Sequence, residues 1–210
     1  YAGGFKPPTK GHFEVVKTAL DENPEIDKMI IYVGKAPRDG VSQAQSLQVW
    51  EVYNNYLPFK VEIVPSTVAP IKAVYDYAKE HPQDEVLWVI GAREESEDDF
   101  KDIAKRTASI TKYPNLELRT IVTKGGISGT AARNALVTSK EKFYNFIPEF
   151  LSAKEKEDVY NILSSTLNEI GDLSVEPYKW NADLNKTNQD DPYDYYDFTT
   201  DDGIKYQVVF

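Results

Sequence analysis

The residues with the clearest chemical capacity lie near the start of the chain, in Gly3-Gly4-Phe5-Lys6-Pro7-Pro8-Thr9-Lys10-Gly11-His12-Phe13. Tandem glycines let a backbone turn sharply and approach a phosphate without Cβ interference, and the two prolines stiffen the loop that follows. A helical pattern begins just after. The free N–H groups of a helix start, with the positive end of its dipole, form a natural anion site. There His12 can donate an imidazole N–H to a phosphoryl oxygen and Thr9 can add a hydroxyl. Read alone, the segment also fits a tight turn with a locally satisfied histidine.

A second constellation is Ile127-Ser128-Gly129-Thr130-Ala131-Ala132-Arg133, after Lys124-Gly125-Gly126. Ser128 is a strong helix N-cap, the small residues after it keep the helix start open, and Arg133 sits about one turn in. From there a guanidinium can reach back to a phosphate with charge-assisted hydrogen bonds. A plain capped helix with a solvated arginine is the ordinary alternative. Gly91-Ala92-Arg93 is followed by Asp99-Phe100, and Gly34-Lys35-Ala36-Pro37-Arg38-Asp39-Gly40 carries Lys35 and Arg38. The six acidic residues at Glu94–Asp99 and Asp102 read as a solvated helix face, so no metal ligand is assigned. His81, before Pro82, reads as structural, and no Ser-His-Asp arrangement is visible.

The elements that must position these residues alternate. Short, β-branched apolar runs at Lys28–Val33, Phe59–Val64, Glu85–Ile90 and Leu116–Val122 suit strands buried on both faces. Helical patterns fall between them, near 10–22, 43–57, 70–81 and 95–108. With a strand exit at Tyr1–Gly4, this predicts a Rossmann-like, doubly wound parallel sheet of five strands with helices on both faces. Gly91-Ala92-Arg93 is then read as leaving the fourth strand. After Gly126 come helices from Ser128, over Lys140–Phe146, and from Ser152 to about Ile170, the last opened by the capping-box spacing Ser152-Ala-Lys-Glu155. Ser42 caps the second helix, whose Leu47, Trp50 and Tyr53 read as core. A polar segment from Asp172 to Pro192 links to a predicted hairpin, Tyr193–Thr200 and Ile204–Phe210 about Asp-Asp-Gly. The expected organisation is a Rossmann-like domain at 1–137, helices packed on it at 138–170, and an acidic linker and hairpin at 171–210. Tyr1–Gly4 and Tyr206–Phe210 read as strands cut short, so a piece of a longer protein is expected.

Composition sets limits. The net charge is −10, and residues 171–210 alone carry −6, which argues against general affinity for nucleic acid. An anionic ligand would be held by a few placed cations and backbone amides. No apolar run approaches the roughly 18 residues of a membrane span, and no signal peptide is visible. The absence of cysteine removes disulfides, thiolate metal sites and cysteine nucleophiles and favours a reducing compartment. The tyrosines of the tail, interleaved with Asp, suit a hairpin face or a protein contact better than base stacking.

Gly-x-Phe-x-Pro-x-(His/Thr)-x-Gly-His is the signature of the cytidylyltransferase-like nucleotidylyltransferase superfamily, and Gly3 to His12 resembles its Thr form. Ile127–Arg133 looks like the superfamily's Ile-Ser-(Ser/Thr)-Thr-x-x-Arg motif, with Gly129 where a hydroxyl residue is common. The resemblance covers roughly residues 1–137. It implies transfer of AMP or CMP from ATP or CTP to a phosphorylated small-molecule acceptor, with release of pyrophosphate. His12 and Thr9 would contact the triphosphate, His12 stabilising charge on the α-phosphate, and Arg133 would clamp the β- and γ-phosphates. Gly3, Gly4, Phe5, Lys6, Gly11, Gly91, Arg93, Ser128, Gly129 and Thr130 would line the nucleotide site, with Lys35 or Arg38 on the acceptor. Magnesium would enter with the triphosphate. The acceptor itself would attack the α-phosphorus in line, so the protein would supply positioning and charge stabilisation. The loop Lys35–Ser42 and the run Phe143–Phe150 resemble bacteriophage-encoded members, which implies a host cytoplasm or a virion. A retired module of a larger protein is the second reading. A dinucleotide-dependent oxidoreductase is disfavoured, because no Gly-x-Gly-x-x-Gly follows the first strand. ATP against CTP, and nicotinamide mononucleotide, a pantetheine phosphate, flavin mononucleotide or a polyol phosphate as acceptor, all stay open.

Overall fold

Nearly every helix up to residue 172 begins where the sequence supplies a cap or a proline. The computed structural model describes residues 1–94, 96–124 and 127–172, with side chains as far as Ser165, and the backbone of two strands at 195–199 and 205–209. Helix α1 (Lys10–Glu22) follows Thr9, and α2 (Gln43–Asn54) follows Ser42. The Ser42 hydroxyl accepts from the Gln45 N–H while Gln45 Oε1 accepts from the Ser42 N–H at 2.8 Å, a reciprocal cap. Helix α3 (Pro70–Glu80) opens on proline, which suits a first helical position. Helix α4 (Glu97–Ile110) is capped by Ser96 and opens on three acids that favour the positive dipole end. Ser128 caps α5 (Gly129–Thr138), and Ser139 caps α6 (Lys140–Phe143), which runs on as a 3-10 turn at Tyr144–Phe146. Before α7 (Ala153–Asp172), Ser152 and Glu155 bond each other's backbone N–H.

The strands are parallel: β1 (Ala2–Gly3), β2 (Met29–Val33), β3 (Val61–Pro65), β4 (Val86–Arg93) and β5 (Leu116–Thr123). They pair as two ladders, β1-β2-β3 and β4-β5, and not as the continuous five-stranded sheet expected. The reason lies in β1. Its Tyr1 and Gly3 carbonyls accept from β2, at Tyr32 and Gly34, so only Ala2 turns its backbone groups to the other edge, too few for a second ladder. Both ladders contribute to the same two cores. One core takes Ile31 and Val33 of β2 and Val89 of β4 together with Phe13, Val16, Trp50, Tyr53 and Leu136 from α1, α2 and α5. The other takes Ala2, Trp88 and Ile90 with Val74 and Ala78 of α3, and Ile103 of α4 packs against it. The alternation of Trp88, Val89 and Ile90 between the two cores is the period of a strand buried on both faces.

Three boundaries differ from the sequence pattern. Strand β4 continues through Gly91-Ala92-Arg93, paired with Ile121, Val122 and Thr123, so that tripeptide ends the strand instead of leaving it. Helix α2 stops at Asn54, because Tyr56 and Leu57 bond back in turns ahead of Pro58. Phe59 is fully exposed in the turn Pro58–Val61 and does not begin β3. Contacts divide the chain at Asp172 and Leu173. Within the first unit α7 buries Val159 and Leu163 in the first core, and Gln45 Nε2 donates to the Ile162 carbonyl at 2.8 Å. In the second unit Tyr195–Thr199 pairs antiparallel with Lys205–Val209. The Asp-Asp-Gly between them lies outside the described residues, as does the expected linker apart from Gly171 and Asp172, which continue α7 instead. Among the described residues no helix is long and apolar enough to cross a membrane.

Gly91 shows how closely α1 approaches β4. A Cβ at Gly91 would lie 2.7 Å from Val15 Cγ2, and Val15 is buried. Gly91→Ala is expected to lower the urea midpoint by an amount equivalent to about 1–3 kcal/mol, the usual cost of overpacking. An unchanged midpoint would show that α1 yields freely.

Candidate functional site

The loop after β1 folds around the Phe5 ring. Phe5 has φ 51°, a left-handed backbone that costs a non-glycine residue roughly 1–2 kcal/mol. It is held there by its neighbours. The ring packs edge-on against His12 at 5.1 Å and Trp50 at 5.4 Å, and the Phe5 carbonyl accepts from Ser46 Oγ at 2.7 Å. Gly3 is required beneath it, since a Cβ there would stand 2.8 Å from the ring. Gly4 has open space where its Cβ would be. Lys6 turns inward and is buried. Its ammonium donates to the carbonyls of Gly4 at 2.7 Å and Gly34 at 2.9 Å, and burial pulls its pKa down to about 8. Lys6 therefore staples the exits of β1 and β2 together, where the resemblance implies a nucleotide contact.

Thr9 and His12 form one unit at the start of α1. His12 Nδ1 accepts the Thr9 N–H at 2.9 Å and lies 3.0 Å from Thr9 Oγ1. An Nδ1 that accepts carries no proton, so the ring N–H is at Nε2. Burial lowers the His12 pKa from 6.5 to about 4, so the imidazole is a neutral donor across the physiological range. Among the described residues Nε2 has no hydrogen-bond partner, and His12 lines a cleft of about 220 Å³ with Gly3, Gly4, Phe5 and Gly91. That volume is below the roughly 300–1,000 Å³ of sites that bury a whole drug-sized ligand.

The start of α5 lies beside this loop, although about 120 residues separate the two motifs in sequence. Arg133 is the joint. Its Nη1 donates to the Lys6 carbonyl and its Nε to Asp39 Oδ2, each at 2.6 Å, and its Nη2 donates to Thr130 Oγ1 at 3.1 Å. A Cβ at Gly129 would stand 3.2 Å from Arg133 Nη1, so the guanidinium would have to give by a small shift. Gly11 meets the same region: its Cβ would lie 3.8 Å from Ile127 Cβ. The Ser128 hydroxyl is spent on the Ala131 N–H at 3.0 Å.

Asp39 reaches Arg133 from a two-residue turn. Arg38 and Val41 exchange backbone hydrogen bonds at 3.0 Å, and Asp39 and Gly40 between them have φ 45° and 80°, values of a type I′ turn that Asp-Gly adopts readily. Lys35 and Arg38 are exposed, and among the described residues their side chains have no ion pair or hydrogen bond.

Arg93 is also engaged. Its Nε and Nη2 grip both oxygens of Asp99, at 2.9 and 2.8 Å, and Nη2 reaches Ser96 Oγ at 3.0 Å. The pairing with Arg93 holds the Asp99 carboxyl down at about 2. Asp99, Asp102 and Arg106 of α4 line the cleft; Arg106 pairs with Asp102 and lies over the Trp88 ring at 5.5 Å. No group of three or more His, Asp or Glu is placed to hold a metal ion among the described residues. His81 stacks on Tyr77 at 4.3 Å at the end of α3.

The structure thus gathers Gly3, Gly4, Phe5, Gly11, Thr9, His12, Gly129, Thr130 and Arg133 around two helix starts, with Gly91 across the cleft. It leaves Lys35 and Arg38 on the outer loop, and it commits Arg93 and Lys6 to partners inside the protein. Asp39 and Arg106 are additions. The Asp-Gly dipeptide marks the turn at Asp39 in the sequence, but nothing local marks its partner 94 residues away.

Acid stability should report His12. The folded state resists protonating it below its ordinary pKa of 6.5, while the unfolded chain accepts the proton there. Stability is therefore fully present near pH 7 and declines as pH falls from 6.5 toward 4, by about 3 kcal/mol from this group alone. Asp99 adds its own loss only lower, between 3.8 and about 2. His12→Asn keeps an acceptor for the Thr9 N–H, so its denaturation midpoint is expected to fall less between pH 6.5 and 4. Equal pH slopes in the two proteins would refute the assignment.

No protein-family model matches the chain, and no curated protein sequence matches it.

Proposed function

We propose that this chain is a nucleotidylyltransferase, which passes the nucleoside monophosphate of ATP or CTP to a phosphorylated small-molecule acceptor and releases pyrophosphate. The observation that carries the reading is the state of His12. Thr9 takes its Nδ1, leaving a neutral Nε2–H as the outward donor, beside the open backbone of Gly4. A donor that does not titrate at neutral pH and is already oriented suits charge that builds on an α-phosphate oxygen in the transition state. The start of α5 then supplies a hydroxyl and a buried guanidinium for the leaving pyrophosphate. Lys35 and Arg38 would take the acceptor's phosphate. Magnesium would arrive with the triphosphate, bound by its oxygens and water.

The test is pyrophosphate release with magnesium, with ATP and CTP in turn against a panel of phosphorylated acceptors. Release that requires one nucleotide and one acceptor is the expected result. A second reading, a retired nucleotide-binding or structural module, is favoured by one observation: both Arg93 and Arg133 already hold carboxylates, on Asp99 and Asp39. Triphosphate binding without release across the panel would select it.

A further inference from the structure

The ion pair between Arg133 and Asp39 is unequal. The arginine side chain is 7% exposed and the aspartate 66%. The guanidinium keeps two anchors that do not depend on Asp39, the Lys6 carbonyl and Thr130 Oγ1, so its orientation survives loss of the carboxylate. Asp39 is held by one oxygen, to Nε. It rides a two-residue turn and swings into water at small desolvation cost, because most of it is there already. Of the five guanidinium N–H groups, three are used.

We infer that Asp39 is an internal competitor for the anion site at Arg133, occupying it in the free protein and yielding it to an incoming polyphosphate. This rests on the reading of Arg133 as a phosphate clamp. A polyphosphate carries several negative charges and more acceptor oxygens than one carboxylate, so it wins the exchange. The displacement cost is subtracted from its binding, and Asp39 thereby sets the affinity of the site. The same displacement frees the turn that carries Arg38, so occupation of the triphosphate site loosens the loop assigned to the acceptor.

The probe is inorganic pyrophosphate, titrated calorimetrically into the full chain in magnesium-free buffer. Asp39→Asn retains the shape and tolerance for φ 45° but not the charge, and Asp39→Gly serves as a second variant if the first folds poorly. Both are expected to bind pyrophosphate about five- to tenfold more tightly than the wild type, the loss of one partly exposed ion pair. Adding Arg133→Ala to either variant should erase the gain. Without ligand, the Asp39 variants should melt at a lower temperature than the wild type, because the buried guanidinium is left without its anion. Pyrophosphate should then raise their melting temperature more than it raises the wild type's. Wild-type binding with no gain in the variants overturns the competitor and leaves the clamp standing, whereas a gain that persists without Arg133 overturns both. No pyrophosphate binding by any of the proteins overturns both.

Discussion

Replacing His12 with alanine is expected to slow pyrophosphate release by about 10²–10³-fold while leaving the fold in place. That is the range for removal of one preorganised donor from a developing oxyanion. The structural price is small: the Thr9 N–H loses its Nδ1 acceptor, which costs about 1 kcal/mol as a lost helix cap does, and the Phe5 ring keeps its contacts with Tyr1 and Trp50. His12→Asn separates the two roles. It offers an acceptor to Thr9 and so recovers stability, but it places no imidazole N–H in the cleft, so the rate stays low. Because burial holds the His12 pKa near 4, the wild-type rate should show no titration of this group between pH 5 and 8. The checks are steady-state pyrophosphate release and circular dichroism on the same preparations. A wild-type rate in His12→Ala would end the catalytic assignment, and a lost fold in both variants would reassign His12 to structure.

Arg133→Ala is expected to act on the triphosphate. It removes a buried fork of donors, and hydrogen bonds to charged groups contribute about 1.5–3 kcal/mol each. The KM for the nucleotide should rise about 10–100-fold, with a much smaller change in the KM for the acceptor. Arg133→Lys keeps the charge but cannot hold the Lys6 carbonyl, Thr130 and a phosphate together, so it should recover only a small part. The alanine variant also strands the Lys6 carbonyl, otherwise bonded at 2.6 Å, and a modest fall in melting temperature should accompany it. Equal losses on nucleotide and acceptor would contradict this placement. The Asp39 variants give the opposite sign: removing the competitor strengthens anion binding, whereas removing the clamp weakens it.

Taken together, these variants treat the site as two helix starts with different tasks. The first, at Thr9 and His12, presents one neutral, oriented donor. The second, at Ser128 to Arg133, holds charge. Lys6 joins them without touching either ligand group, since its ammonium grips the Gly4 and Gly34 carbonyls while its own carbonyl takes Arg133.

The local architecture is legible in the order of the residues. Ser42, Ser128 and Ser152 with Glu155 each place a helix start within a residue or two, because a cap acts over three residues. The β-branched runs at 28–33 and 116–122 likewise locate strands, although only the first is covered on both faces: Glu117, Arg119 and Val122 of β5 are exposed. Both glycine-rich junctions that carry His12 and Arg133 were legible for the same reason, each being a strand end followed by a helix start. Partner choice was decided only in three dimensions. That Arg133 holds Asp39 and the Lys6 carbonyl, that Lys6 turns inward, and that Arg93 is held by Asp99 depend on which donors and acceptors the fold brings within about 3 Å. The first of these joins residues 94 and 127 positions apart. The division of the strands into three and two was equally hidden, since it follows from how few backbone groups β1 has left after pairing with β2. A guanidinium or an ammonium in a sequence is a capacity to bind an anion or a carbonyl. Which one it takes is set by the competitors that tertiary packing places beside it.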